Sequence, residues 1–213
     1  MMRRVHHLLE IDAKQFCLVQ DSLPRWVEEE LRRTPSVVVR RGVEMELGIP
    51  VGVRGAARNE RWAAFCDPKF VKRVIAPQQL LRRTAPAFRV DAIAALRSLR
   101  VLAGRWSAIP YPWGPGGSVG FELASGCPTV TQTSDLDLLM RAPDPLDRAS
   151  AKSLFDALSQ AALDHNTRID MQIQTLDGAF ALAEYAHPGT RVMMRCADGP
   201  KLVVDPWQTS QAA

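Results

Sequence analysis

Polar and apolar residues alternate strictly from Thr167 to Thr175, the period of a half-buried strand, with Asp170 at its middle. On that alternation Arg168, Asp170, Gln172 and Gln174 share one face. The same period runs through Asp135-Leu-Asp-Leu-Leu-Met140, which predicts a strand whose Leu136, Leu138 and Met140 face the core while Asp135 and Asp137 project side by side. Between these two segments the period changes. Ala151, Leu154, Phe155, Leu158, Ala161 and Ala162 recur at three- and four-residue steps, the buried stripe of a helix opened by Pro145-Leu-Asp147.

Elsewhere the pattern predicts helices over residues 23–33, 77–83, 90–102 and 179–185. It predicts strands over 37–41 and 49–53, the second interrupted by Pro50, and a closing pair over 191–196 and 201–204, joined by the turn Ala197-Asp-Gly-Pro200. A boundary near Ala85-Pro86 divides these elements into a smaller N-terminal α/β module, residues 1–86, and a second domain, residues 87–213. The expected fold class is α+β, with a mixed sheet braced by helices in the second domain. Trp207, in Asp205-Pro-Trp207, is expected to anchor a core edge, with stacking on an adenine as the other role open to it.

Candidate chemistry concentrates where the first domain has ended. Trp113-Gly-Pro-Gly-Gly-Ser-Val-Gly120 carries glycines that let the backbone approach an anion closely, and Ser118 adds a hydroxyl and an N–H at a helix start. The turn has neither the lysine nor the spacing of a P-loop, and the dinucleotide fingerprint is absent. Downstream, Asp135 and Asp137 offer two hard oxygen ligands suited to Mg²⁺, which keeps several waters and completes its shell with substrate phosphates. Asp170 would complete a metal-binding trio or act as base toward an attacking hydroxyl. With 14 Asp in the chain, one Asp-x-Asp pair arises by chance, so a turn or helix cap at Ser134-Asp135 stays open for the pair. A solvated outer face stays open for Asp170. Together the turn and the carboxylates point to phosphoryl or nucleotidyl transfer, whose catalysis is mostly positioning and charge neutralisation.

Charge adds a partner class. Residues 1–100 carry 19 Lys and Arg against 11 Asp and Glu (+8), and residues 101–213 carry 8 against 12 (−4). The basic first half suits a phosphate-rich donor or an acidic carrier protein. Within it, Arg54 stands between glycines in Gly52-Val-Arg-Gly55, where backbone can close on a ligand. Aromatic residues make up only 7% of the chain and no nucleic-acid module is present, which argues against nucleic acid. Cys17, Cys66, Cys127 and Cys196 have no metal-type spacing and read as reduced thiols. His6, His7, His165 and His187 read as surface or cap residues. The N-terminus lacks a signal-peptide core and no apolar run reaches bilayer length, so the expectation is a cytoplasmic protein with no membrane partner.

Gly117-Ser118 followed by Asp135-x-Asp137 and a later strand aspartate resembles the nucleotidyltransferase superfamily of the polymerase-beta type. More narrowly, Ile49-Pro-Val-Gly-Val-Arg-Gly55, Trp113 through Ala124, Ser134-Asp-Leu-Asp-Leu138, Arg168-Ile-Asp-Met-Gln172, Gly178-Ala-Phe-Ala-Leu182 and Asp205-Pro-Trp207 resemble the phosphoribosyl-dephospho-CoA transferases, the holo-acyl-carrier-protein synthases of malonate decarboxylase. The stretch from Ser118 to Asp135 is longer than the superfamily's usual turn-to-carboxylate spacing and is closer to the narrower family.

The resemblance implies a polymerase-beta-like catalytic domain over 87–213 and a donor- or carrier-binding module over 1–86. It implies triphosphoribosyl-dephospho-CoA as donor, a serine of the apo acyl carrier protein subunit of malonate decarboxylase as acceptor, and pyrophosphate as the leaving group. Asp135, Asp137 and Asp170 would be the catalytic, Mg²⁺-binding residues, and Gly117, Ser118 and Arg54 would bind substrate. Two other readings share these features: a nucleotidyltransferase that uses ordinary nucleoside triphosphates on a small molecule or RNA, and a noncatalytic carrier-protein-binding module.

Overall fold

A computed structural model describes residues 4–42, 48–55, 60–106, 109–187, 189 and 191–208. The chain forms two compact units, Met1–Ala76 and Pro77–Ala213. The expected boundary at Pro86 therefore moves ten residues toward the N-terminus. Leu80 is fully buried, and the Arg83 guanidinium donates to the carbonyls of Leu123 (3.1 Å) and Ala124 (2.7 Å), which ties residues 77–86 into the second unit.

The first unit runs β1 (Leu8–Ile11), α1 (Ala13–Leu18), α2 (Arg25–Arg33), β2 (Ser36–Val39), β3 (Ile49–Arg54), β4 (Arg61–Cys66), a 3-10 turn (Pro68–Phe70) and β5 (Val71–Ile75). Its strands form one antiparallel sheet in the order β4-β3-β2-β1-β5. The helix expected at 23–33 is α2. It buries Val27 and Leu31, one turn apart, and carries the pairs Arg25–Glu29 and Arg32–Glu28 on its outer side. Those exposed pairs contribute a few tenths of a kcal/mol each, so the Val27–Leu31 stripe against Leu9, Phe16 and Val51 is what holds the helix down. β1, α1, β4 and β5 are additional to the elements expected from periodicity. His7, read as a surface or cap residue, is buried beside β1, and burial holds its imidazole below the ordinary histidine value.

The second unit runs α3 (Pro77–Leu80), α4 (Ala87–Ala92), α5 (Ala94–Arg105), β6 (Trp113–Pro115), α6 (Gly117–Ser125), β7 (Leu136–Arg141), α7 (Arg148–His165), β8 (Ile169–Gln174), β9 (Gly178–Ala181), α8 (Leu182–Ala186), β10 (Val192–Cys196) and β11 (Gly199–Val203). Its six-stranded sheet has the order β11-β10-β9-β8-β7-β6 and is mixed: β7 and β8 pair in parallel, and every other neighbour is antiparallel. The expected α+β class, with a mixed sheet braced by helices, is what the structure has. A parallel pair needs a long crossover, and α7 is that crossover. Asp147 caps it by accepting the Ser150 N–H (2.8 Å) and hydroxyl (2.6 Å), and Asn166 ends it in the left-handed conformation.

Two expectations change in detail. The helix predicted over 90–102 is two helices, α4 and α5, because Ile93 is extended (φ −113°, ψ 116°) and separates them. The helix predicted over 179–185 begins as β9, which pairs with both β8 and β10, and becomes helical only at Leu182. Trp207 fulfils its expected core-edge role. Its indole N–H donates to the Ala142 carbonyl (2.9 Å), and its ring packs edge-on against Phe180 and Tyr185.

Candidate active site

β6 and β7 are antiparallel neighbours, and the chain leaves β6 through Gly116 directly into α6. The Gly116 N–H donates to the Asp137 carbonyl (2.8 Å), so the turn is stitched to the aspartate strand by its backbone. Gly117 then takes φ +53°, a conformation that favours glycine. A Cβ added there would fall on the Asp137 carboxylate. The glycine is thus required twice over, for its backbone angle and for the space that Asp137 occupies. Ser118 follows in the first turn of α6, where N–H groups without intrahelical partners and the helix dipole favour an anion.

On the strands, the alternation expected from sequence holds. Leu136, Leu138 and Met140 are buried on one face of β7, and Asp137 is exposed on the other. In the parallel ladder Asp137 lies opposite Asp170, so the two carboxylates stand on neighbouring strands of one face, about 5 Å apart between strand axes. Asp135 lies on the same alternation immediately before β7 and is half-buried. The Asp170 carboxylate also receives the Arg168 guanidinium at 2.8 Å, an exposed pair on that face.

Of the six residues singled out in sequence, five belong to the second unit: Gly117, Ser118, Asp135, Asp137 and Asp170. Gly117 and Asp137 touch, and Asp137 and Asp170 are register partners. Among the described residues no group of three His, Cys, Asp or Glu side chains is gathered closely enough to hold a metal ion by itself. What the face offers is adjacent hard carboxylates beside a helix start, a donor set of the kind Mg²⁺ uses when substrate phosphates supply the rest of its shell. Arg54 ends β3 in the other unit, opposite Arg61 of β4, so two cations stand at that sheet edge. Gly55 follows it with no room for a side chain, since a Cβ there would meet Glu60 and the Trp26 ring.

Sequence reasoning missed Glu122. It lies in an otherwise apolar stretch of α6 with its side chain 4% exposed, and it accepts two hydrogen bonds of 2.7 Å from the Arg89 guanidinium. It also accepts the N–H groups of Thr129 and Val130, both at 2.8 Å, while the Thr129 hydroxyl donates to the Ser118 carbonyl (3.1 Å). The long connection from Ser118 to Asp135 is therefore α6 followed by a loop clamped back onto it. The signal in sequence was a charged residue inside Val119-Gly-Phe-Glu-Leu-Ala124, whose partner lies 33 positions away.

A Gly117→Ala replacement tests the contact between turn and strand. The added methyl strains the backbone and displaces the Asp137 carboxylate, and the expected result is a loss of turnover of about a hundredfold or more with little change in secondary structure. Steady-state kinetics beside a circular dichroism spectrum would check it. Turnover within twofold of the parent would mean that the position of Asp137 is unimportant.

The comparisons with known proteins cover both units. Residues 79–206 match the profile of the phosphoribosyl-dephospho-CoA transferase MdcG C-terminal domain, and residues 4–77 match that of the MdcG N-terminal domain. A protein of Pseudomonas syringae pv. tomato named phosphoribosyl-dephospho-CoA transferase is 39% identical over 191 residues, which cover 90% of this chain and 88% of that protein. Relatives of the same name are 40% identical in Pseudomonas fluorescens (89% of this chain, 88% of the relative) and 38% identical in Azotobacter vinelandii (87% and 86%). No solved structure matches the chain. The profiles meet where the two units meet, which places the boundary at 77–79 independently of packing. Among the described residues no helix is long and apolar enough to cross a membrane, and all four cysteines are free.

Proposed function

The chain belongs to the phosphoribosyl-dephospho-CoA transferase family, and on that premise we propose that it moves the phosphoribosyl-dephospho-CoA group from 2'-(5''-triphosphoribosyl)-3'-dephospho-CoA onto a serine of the apo acyl carrier protein subunit of malonate decarboxylase, releasing pyrophosphate. The observation that carries the reading is the seat of Asp137, which is held against Gly117 at a helix start and lies opposite Asp170 on the neighbouring strand. That arrangement suits a triphosphate, whose charge must be gathered and neutralised while one phosphorus is attacked.

In the reaction the serine oxygen forms a bond to the phosphorus nearest the ribose, and the bond from that phosphorus to the pyrophosphate oxygen breaks in line. The serine proton leaves to a base. Asp135 and Asp137 would hold Mg²⁺, with Asp170 beside them; when bound, the ion neutralises the triphosphate and stabilises the leaving oxygen. Gly117 and Ser118 present their N–H groups to the phosphate tail. Asp170 would orient the attacking hydroxyl or take its proton, with the exposed Arg168 guanidinium paired to its carboxylate at 2.8 Å. In the first unit, Arg54 supplies a cation suited to the phosphates of the donor or to an acidic carrier surface. We place the protein in the cytoplasm, where its reduced thiols are stable.

Incubation of the purified protein with Mg²⁺, the donor and apo carrier protein tests the proposal directly. Mass spectrometry of the carrier is expected to show one phosphoribosyl-dephospho-CoA increment on a single serine. Pyrophosphate release from ATP or CTP with a small acceptor, together with no reaction of the triphosphoribosyl donor, would overturn it.

A further inference from the structure

Arg168 is the residue before β8, and the Leu136 N–H donates to its carbonyl (2.9 Å), so the parallel register extended by one step sets Arg168 opposite Asp135. Asp135 and Asp137 on one strand, with Arg168 and Asp170 on the next, therefore share one face. Arg168 is the cation of that group. Its guanidinium donates to Asp170 Oδ2 at 2.8 Å, and its side chain is 69% exposed. An ion pair so open to water contributes about 0–1 kcal/mol, so it does little for the fold and is easily parted. It nevertheless holds a carboxylate oxygen that metal binding or proton transfer needs. A guanidinium and a divalent cation on one carboxylate repel each other, so Arg168 has to give up Asp170 before that oxygen can serve. The exposed, flexible stem permits this without a change in the strand.

We infer that Arg168 is a further catalytic residue, whose guanidinium leaves Asp170 when the donor binds and takes the two phosphates that depart as pyrophosphate. The inference rests on the proposed function and deepens it. A triphosphate held beside these carboxylates brings phosphate oxygens to the surface on which Arg168 stands, and the planar fork of arginine fits phosphate as well as it fits carboxylate. Before the donor arrives, the cation offsets repulsion among Asp135, Asp137 and Asp170. Afterwards it offsets charge on the leaving phosphates, where charge builds as the bond to the attacked phosphorus breaks. Arg168 stays protonated throughout and exchanges one anionic partner for another. The same movement releases Asp170 Oδ2 for its own role, so opening the pair prepares both residues together.

The test uses the full chain with inorganic pyrophosphate, dephospho-CoA and Mn²⁺ as separate probes, so its binding readouts do not depend on turnover. With Mg²⁺ present, Arg168→Gln is expected to bind pyrophosphate about tenfold or more weakly, while its affinity for dephospho-CoA stays within about twofold of the parent. Without a phosphate ligand the same variant should bind Mn²⁺, followed by electron paramagnetic resonance, about threefold or more tightly, because a competing cation has left Asp170. Arg168→Lys keeps the charge but not the fork and should fall between parent and Arg168→Gln. In transfer to the carrier, Arg168→Gln should lose about a hundredfold, mostly in kcat. The thermal midpoint of both variants should match the parent, as an exposed pair requires. Unchanged pyrophosphate affinity in Arg168→Gln would overturn the inference. So would a weaker Mn²⁺ site, which would make Arg168 a residue that orients Asp170, or weaker dephospho-CoA binding with pyrophosphate unaffected, which would assign Arg168 to the transferred group. A parent that transfers nothing from the triphosphoribosyl donor would remove the proposed function, whereas weaker pyrophosphate and tighter Mn²⁺ binding in Arg168→Gln would still support a phosphate-binding arginine at these carboxylates.

Discussion

Replacing Asp137 with asparagine is expected to lower transfer to the carrier by about a thousandfold or more while leaving the fold and carrier binding in place. Asparagine matches the shape of the side chain that sits against Gly117, so the steric fit survives. What disappears is the negative charge, on an exposed position of β7 directly opposite Asp170. A carboxylate that holds a metal against a triphosphate stabilises the transition state by several kcal/mol, and about 4 kcal/mol corresponds to roughly a thousandfold in rate. The loss should fall on kcat, since charge builds on the leaving oxygen only as the bond breaks. Transfer measured by carrier mass, beside a thermal melt and a carrier-binding titration, separates a chemical defect from a folding one. Turnover within a few-fold of the parent would remove Asp137 from the chemistry.

The part of this site that was legible in the sequence is the part governed by local period. Alternation placed Asp135 and Asp137 away from Leu136, Leu138 and Met140, and it placed Asp170 with Gln172. Three- and four-residue spacing gave α7, and glycines marked the turn before α6. The register of β7 on β8 was not legible, because a parallel pairing is set by how the α7 crossover packs and not by either strand alone. β4 and β5 escaped notice for a related reason. They are the two edge strands of the first sheet, their exposure does not alternate cleanly, and their strand character comes from the neighbours they pair with. β9 shows tertiary context overriding propensity: Ala179 and Ala181 favour a helix, yet the gap between β8 and β10 draws them into the sheet.

The domain boundary follows the same logic. Ala85-Pro86 is a local punctuation mark, but Pro77 is where packing changes sides, since the backbone at Gly114 approaches the Pro77 carbonyl so closely that no side chain fits between them. The connection from Ser118 to Asp135 looked long by spacing alone. In three dimensions it is shortened by Glu122, which folds residues 129–130 back onto α6. A sequence shows that Glu122 is a charged residue among apolar ones. It does not show that Arg89 will meet it.

That pair is where the largest effect on stability is expected. Replacing Glu122 with glutamine leaves the Arg89 guanidinium, 17% exposed, without its counter-charge, and it weakens the acceptor on which the Thr129 and Val130 N–H groups depend. Breaking one side of a buried ion pair costs about 3–5 kcal/mol, a large share of a typical folding free energy. The effect should reach the active site, because the loop that Glu122 clamps leads directly into Asp135. Removing both partners, as Glu122→Leu with Arg89→Met, should recover only part of the loss in stability: no charge is then left buried alone, but the Thr129 and Val130 N–H groups and the Val130 carbonyl lose their partners. Activity should recover less, because the clamp on the loop stays absent.

The pair also gives stability a pH dependence with a defined sign. Burial pushes the Glu122 carboxyl up, but the hydrogen bond from Arg89, the N–H groups of Val130 and Thr129, and the Arg89 charge together outweigh it, so the folded value lies below the ordinary one. A carboxyl depressed in the folded state contributes stability that is full above its unfolded value and is lost as pH falls through the folded value. The parent should therefore lose stability to denaturant as pH drops below the usual glutamate range. Glu122→Gln should be less stable near neutrality and lose less on acidification, so the two curves converge in acid. Parallel curves would show that Glu122 contributes no linkage of its own, and equal stability at neutral pH would show that the Arg89 pair does not hold the loop.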